Sequence, residues 1–301
     1  MSNNYQYTKL ATPSTIRVIK LEEQKVDNII TCIIRHVEQS KFEYHALSYV
    51  WGDPTPTRKI YLGSSGDQSS IFTLHENLWR FLDWAWNRQM FDRWIWTDGI
   101  SLNQADHNEI SQQVPRMGEI FQNARLVMAW LGMSKKEGEQ IMPLLSMQSF
   151  NHRDIAQPLK MWNQLSSETK DSALTAYYNE YWQRLWIVQE VAMARSLVIL
   201  IGDIEVSMDD YVSKFRIAQM EISRKFPWGV EGPASFKSGN EKLELWRVLI
   251  LLSHGNYKCK ETNDRVYGGL GLAAYRPDGS SPLDFIEVDY SKPFGEVNIG
   301  L

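Results

Sequence analysis

The sequence has few cysteines, no long apolar run and no paired metal ligands. Its two cysteines, Cys32 and Cys259, lie far apart, so no disulfide framework is expected and both are interpreted as free or buried thiols. The N-terminal segment lacks the apolar stretch of a signal peptide, and the longest apolar runs, such as 197–201, are too short to cross a bilayer. We therefore expect a cytoplasmic chain without a membrane partner.

Familiar catalytic and ligand-binding motifs are also missing. None of the six histidines lies at ligand spacing from another His or Cys, so no metal site is expected. There is no Walker A loop and no G-x-S-x-G, and the GxGxxA match at 269–274 does not follow a clear strand. A net charge of −4 argues against nucleic acid as a partner. No cofactor is predicted.

The chain is rich in aromatic side chains. It has 12 Trp, 13 Tyr and 11 Phe within an ordinary globular balance of 43% hydrophobic and 23% charged residues. Many Trp residues cluster between 79 and 96 and again at 182 and 186. Two interpretations are open: an aromatic core, or flat walls for a planar ligand.

The order of apolar segments predicts an α/β fold. Four β-branched or aromatic runs between 16 and 62 are typical of strands, and 93–98 and 125–131 are predicted strands joined by an amphipathic helix. This strand–helix–strand spacing favours a mainly parallel sheet flanked by helices, with extra N-terminal strands and a helical insertion at 134–180. We expect one unit over 1–225, a linker at 226–240 and a helical extension over 241–301.

A polar pair interrupts the most apolar predicted helix, which spans 183–194. Only Gln189 and Glu190 are polar between 185 and 194, and a buried carboxylate is costly unless it is paired or functional. Trp186 lies one helical turn before Glu190 and on the same face. The alternative is a structural Glu at the helix margin, bonded to Arg184 or Arg93.

Two further segments end where a parallel sheet should form a crevice. Asp98, Asn103 and Gln104 follow the predicted strand 93–98, and ligands of open α/β sheets bind beyond such strand ends. The strand at 44–50 runs into a Gly turn at the same edge. Turn formation and helix capping are the alternative roles for Asp98 and Asn103.

Together these segments resemble the fungal heterokaryon-incompatibility (HET) domain. The motifs are ALSYVWG at 46–52, WTDGISLNQ at 96–104 and RLWIVQE at 184–190. Later stretches, NDRVY at 263–267 and DYS at 289–291, resemble further family motifs. Ser101 stands where the family usually has a cysteine, which argues against a required thiol there.

HET domains are in turn similar to TIR domains, which have a flavodoxin-like parallel sheet and some of which hydrolyse NAD+. This resemblance implies that Glu190 is the catalytic carboxylate, with Trp186 as its partner, and that NAD+ is the substrate. It places Tyr49 and Trp51 near the pocket. The remaining residues assigned to substrate binding are Asp98, Asn103, Gln104 and Arg184.

Two functions follow from the resemblance. One is an NAD+ glycohydrolase that causes programmed cell death as part of fungal innate immunity. The other is a non-catalytic signalling module of the incompatibility response, which self-associates or binds a partner signalling domain. TIR-type enzymes often need oligomerisation to complete the site, so a homo-oligomer is expected in either case.

Overall fold

The computed structural model of the chain describes residues 4–63, 70–147, 156–222, 245–254, 257–259, 261–273, 286 and 288–290. The predicted linker at 226–240 lies outside the described residues, and so does most of the last 28 residues.

Nine described strands form one sheet in the order β5-β4-β2-β1-β6-β3-β7-β8-β9. Their bounds are β1 Thr15–Leu21, β2 Thr31–Glu38, β3 His45–Tyr49, β4 Arg58–Gly63, β5 Ser70–Leu74, β6 Ile95–Trp96, β7 Val127–Trp130, β8 Leu197–Ile201 and β9 Ile204–Ser207. Strands β1, β2 and β4 match predicted strands in position. Strand β5 was not predicted, and its last residue, Leu74, was expected to begin the following helix.

The predicted α/β class is confirmed, but the prediction of a mainly parallel sheet is wrong. Strands β6, β3, β7 and β8 form a parallel centre, and β2 pairs with β4 in parallel. The other four of the eight pairings are antiparallel. A parallel pair needs a crossover of a dozen or more residues, whereas β8 and β9 are joined only by Gly202 and Asp203, so these strands fold back as a hairpin.

Helices cover both faces of the sheet. They are α1 Glu76–Asn87, α2 Asp98–Ser101, α3 His107–Gln113, α4 Met117–Asn123, α5 Lys135–Leu145, α6 Ala156–Asn163, α7 Ser167–Tyr177, α8 Leu185–Met193, α9 Met208–Ile222, α10 Leu245–His254 and α11 Asp264–Leu270. Short 3-10 turns occupy 114–116 and 180–183. The single amphipathic helix predicted between 93–98 and 125–131 is divided at 114–116, because Pro115 has no amide hydrogen for the helical ladder.

Side-chain alternation along β3 separates the two faces of the sheet. Leu47 and Tyr49 pack with α1 residues such as Phe81 in one apolar cluster. Ala46 packs on the opposite face, with α4 residues such as Phe121. Ser48, two positions after Ala46, therefore projects toward the face that α8 covers. This alternation decides which side chains can meet at the end of the strand.

Candidate functional site

Glu190 is the buried acid of the candidate site. It lies in α8 among apolar residues and is only 3% exposed. The Ser48 hydroxyl donates a hydrogen bond to Glu190 Oε2, and the Tyr181 hydroxyl lies 2.7 Å from Ser48 Oγ. Because a serine has one hydroxyl proton, and Ser48 uses it toward the carboxylate, Tyr181 donates to Ser48. The three side chains form one hydrogen-bonded chain that ends on the acid.

The surroundings shift the proton affinity of Glu190. Burial raises its pKa to about 7, against the opposing effects of the Arg184 charge and the Ser48 hydrogen bond. The negative charge of Asp98 acts in the same direction as burial. A carboxyl group with such a pKa can gain or lose a proton near neutral pH, which a general acid or base requires.

Asp98 is a second carboxyl group at the same edge of the sheet, and it is partly buried. It follows β6, and its Oδ2 accepts a 2.7 Å hydrogen bond from the indole of Trp51. Burial raises the pKa of Asp98, while Arg184 and the Trp51 hydrogen bond lower it. The Tyr49 hydroxyl lies beside Asp98, and burial followed by the Asp98 charge raises the pKa of that phenol.

Arg184 lies within electrostatic reach of both acids. It directly precedes α8, and its guanidinium donates to the main-chain carbonyl of Tyr49 at the end of β3. Its charge lowers the pKa of Glu190 and of Asp98, yet it makes no salt bridge to either carboxylate within the described part of the chain. The buried carboxyl group of Glu190 and the partly buried one of Asp98 therefore lie in the electrostatic field of the same arginine.

The structure brings together five of the predicted site residues at the carboxyl ends of β3 and β6. These are Tyr49, Trp51, Asp98, Arg184 and Glu190. As a set they combine two acids, one cation and two aromatic side chains, of which Trp51, Asp98 and Arg184 are partly exposed. Such a combination can bind a polar planar ligand and move a proton.

Three other predicted residues have structural contacts in the described chain. Asn103 turns the loop after α2, with its side chain accepting from the Ala105 amide at 3.3 Å. Gln104 is exposed and donates to the Asp98 carbonyl at 3.0 Å. Trp186 packs on the face of the sheet that carries Ala46 and forms a hydrogen bond with Asp264.

The chain is similar to known proteins over the stretch that contains the candidate site. A family model described as heterokaryon incompatibility protein (HET) matches residues 44–190, which run from the start of the β3 motif to Glu190. The chain carries a HET domain. A relative, heterokaryon incompatibility protein 6, OR allele, of Neurospora crassa, is 25% identical over 355 aligned positions. The alignment covers 95% of this chain and 52% of the relative, so the chain spans about half the relative's length. No solved structure matches the chain.

The structure also contains a buried ion pair that was not predicted from the sequence, between Arg17, which precedes the family match, and Glu109, which lies within it. Both guanidinium NH groups of Arg17 bind Glu109, at 2.6 and 2.9 Å, and Arg17 is 0% exposed. Glu109 also accepts from the amide of Asn103 at 2.8 Å. This pair joins β1 to α3, and the hydrogen bond from Asn103 extends it to the loop after α2. In the sequence, the one sign of this pair is that Glu109 follows the second family motif, at 96–104.

The late family motifs form a cluster beside α8. The Tyr290 hydroxyl donates to Asp264 Oδ1 at 2.9 Å, and the rings of Tyr267 and Tyr290 meet edge to face with centroids 5.3 Å apart. Burial raises the pKa of Asp264, while the hydrogen bonds from Tyr290 and Trp186 lower it. The cluster therefore ties residues far beyond the family match to the helix that carries Glu190.

The described residues contain neither a cluster of metal ligands nor a helix that could span a membrane. No group of three or more His, Cys, Asp or Glu side chains there could hold a metal ion. No helix in those same ranges is long and apolar enough to cross a membrane.

Proposed function

We propose that this HET-domain chain triggers heterokaryon-incompatibility cell death by hydrolysing the N-glycosidic bond of NAD+, with Glu190 as the catalytic carboxylate. The observation that carries the proposal is a buried acid without a salt-bridge partner in the described chain, located where parallel strands end. Such edges bind ligands in open α/β sheets, and an unpaired buried acid with a raised pKa is characteristic of functional sites.

The chemistry suits a carboxylate held in this way. When the bond between nicotinamide and ribose C1′ breaks, positive charge develops on the sugar, and an ionised Glu190 stabilises it. Water then adds to C1′ and releases a proton, while nicotinamide leaves with the bonding electron pair. Ser48 and Tyr181 hold Oε2 in place, so the carboxylate need not reorganise during the reaction.

The partly exposed residues supply a binding rim above the acid. Trp51 offers an indole face to nicotinamide or adenine, and Arg184 offers a positive charge to the diphosphate. Asp98 fixes the Trp51 indole through its hydrogen bond and can accept from a ribose hydroxyl. The spacing of Trp186 and Glu190, which resembles the Trp-x-x-x-Glu of TIR domains, also supports this assignment.

A non-catalytic signalling role is the second candidate, and the enclosure of Glu190 favours it. With 3% of the residue exposed, a ribose can reach the carboxylate only if the rim opens. In the catalytic proposal, self-association of the chain opens and completes the site. In the signalling proposal, association alone transmits the response, and Glu190 stabilises the fold through Ser48.

The decisive experiment is an NAD+ consumption assay on self-associated protein. Light scattering first defines the concentrations at which the chain associates, and turnover is measured there for wild type and Glu190→Gln. We expect the variant to be slower by about a hundredfold or more, because one preorganised charge-stabilising group is lost. Glu180→Gln is the matched control, since Glu180 is an exposed acid just before α8.

Cell killing separates the two candidates. If Glu190→Gln consumes NAD+ as fast as wild type, the catalytic mechanism is wrong. If associated wild type consumes none, and expression of Glu190→Gln still kills cells, the signalling module is the correct function.

A further inference from the structure

A separate cavity lies around β1 and β2. Its volume is about 450 Å³, within the usual range for small-molecule sites, and Lys20, Arg35, His36 and Trp94 are among its lining residues. Tyr5 and Thr8 of the N-terminal segment complete one wall.

The cavity is distinct from the site around Glu190. Trp94 directly precedes β6, whereas Asp98 follows it after Thr97, so the two sites lie at opposite ends of that strand. None of the residues assigned to the candidate active site lines the cavity.

Strand register shows how the cavity is built. In the β1–β2 ladder Lys20 lies opposite Ile33 and Val18 opposite Arg35, which places Lys20 and Arg35 on one face and His36 on the other. Strand β2 pairs with β4 only from Thr31 to Ile33. Beyond Ile33 that edge of β2 has no partner strand among the described residues, and the cavity wraps around it.

The charged side chains that line the cavity are all positive. Lys20 and Arg35 carry positive charges, no carboxylate lines the cavity, and neither cation makes an ion pair within the described ranges. Each instead lies over an aromatic ring, Lys20 at 5.2 Å from the Trp94 centroid and Arg35 at 5.6 Å from that of Phe42. These contacts orient both cations without neutralising them.

His36 adds a neutral donor. The Nε–H of Arg17 donates to His36 Nε2 at 3.2 Å, and because an arginine cannot accept, Nε2 carries no proton. The imidazole proton is therefore on Nδ1, which is available as a donor. Burial and the Arg17 charge both lower the pKa of His36, which keeps the ring neutral at pH 7.

We propose that this cavity binds a phosphorylated aromatic compound of mononucleotide size. The phosphate lies between Lys20 and Arg35, because ammonium and guanidinium groups form charge-assisted hydrogen bonds with phosphate oxygens. The ring lies along the wall that Ile33 and Trp94 form on the face of the sheet that carries both cations. The site is independent of NAD+ hydrolysis at Glu190.

Isothermal titration of the full chain with AMP tests the proposal. We expect one saturable site, and we expect Lys20→Ala and Arg35→Ala each to weaken binding by about tenfold, as the loss of a charge-assisted contact implies. Lys59→Ala is the matched control, since Lys59 is an exposed lysine on β4 outside the cavity, and it should bind AMP like wild type. Inorganic phosphate and adenosine should each bind more weakly than AMP by tenfold or more.

The same titration shows which results would overturn the proposal. The proposal is overturned if AMP shows no saturable binding at millimolar concentration, if phosphate binds as tightly as AMP, or if Lys59→Ala weakens binding as much as Lys20→Ala. Glu190→Gln leaves the cavity intact and should retain AMP binding. Loss of binding in that variant alone would place the nucleotide at the candidate active site instead. Far-UV circular dichroism confirms that each variant is folded.

Discussion

Replacing Glu190 with glutamine should make the chain more stable at alkaline pH. The unfolded chain releases the Glu190 proton near pH 4.5, whereas the folded chain holds it until about pH 7. For an acid with a raised pKa, the folded state is penalised as pH rises through this window, since it binds more protons than the unfolded chain. Below pH 4.5 the penalty is absent, and above pH 7 it is complete.

The magnitude follows from the two pKa values. The difference between 4.5 and about 7 corresponds to about 3 kcal/mol, at about 1.4 kcal/mol per pH unit. Glutamine has almost the same shape, keeps an oxygen that can accept from Ser48, and carries no charge to desolvate. The variant should therefore match wild type near pH 4.5 and gain up to about 3 kcal/mol at pH 8.

Thermal unfolding of wild type and Glu190→Gln at several pH values between 4.5 and 8 measures this gain. For a chain of this size, about 3 kcal/mol raises Tm by on the order of 5 °C. Other acids, such as the partly buried Asp98, are present in both proteins, so their contributions to the difference are expected to be small. Glu180→Gln, the exposed control, should show no pH-dependent difference.

The opposite result would refute the reasoning. If Glu190 were held by a strong ion pair, glutamine would lower Tm at pH 8 instead of raising it. A difference in Tm that does not change with pH would also contradict the raised pKa. Together with the assay above, the catalytic proposal expects a variant that is more stable and less active, which is the usual relation for a buried functional acid.

Three further predictions concern single contacts. Ser48→Ala removes a hydrogen bond that lowers the pKa of Glu190, so the pH at which NAD+ turnover reaches half its maximum should rise by about one unit, and an unchanged pH profile would contradict this. Arg17→Met leaves Glu109 buried without its cation and should lower the free energy of unfolding, measured in urea at pH 7, by about 3–5 kcal/mol. A decrease below about 1 kcal/mol would show that the pair is dispensable. Gly202→Ala should lower the free energy of unfolding by at least about 1–2 kcal/mol in the same measurement, because its φ is +58° and a Cβ would lie 2.4 Å from the Ser134 carbonyl oxygen. A variant as stable as wild type would show that the hairpin relaxes to make room.

The parallel centre of the sheet was predictable because its strands are short apolar runs separated by amphipathic helices. Strand β7 lies within the predicted 125–131, and β8 coincides with the apolar run 197–201. Strand β5 was missed because its last residue, Leu74, also fits the apolar stripe of the following helix. Strand β9 has only one buried residue, Val206, so its sequence carries little apolar signal, and pairing with β8 after a tight turn specifies it.

The candidate site was predictable in part. Burial of Glu190 follows from the apolar helix around it, and the meeting of Trp51 and Asp98 follows from the shared edge of parallel strands. The contact between Ser48 and Glu190 could not be predicted, because the two residues lie 142 positions apart and no local pattern links them. The loop conformation that turns Gln104 toward a main-chain carbonyl likewise leaves no mark on local sequence.

The family match at 44–190 does not coincide with a unit that can fold by itself. An excised fragment with those limits would lose β1, which flanks the parallel centre, and β8, which belongs to it, and would leave the open edges of β6 and β7 exposed. Helix α8 would end at Glu190 without the Asp264–Tyr290 cluster beside it. Sequence similarity therefore marks the most recognisable stretch of the molecule, while the cooperative unit begins before residue 44 and extends past residue 201.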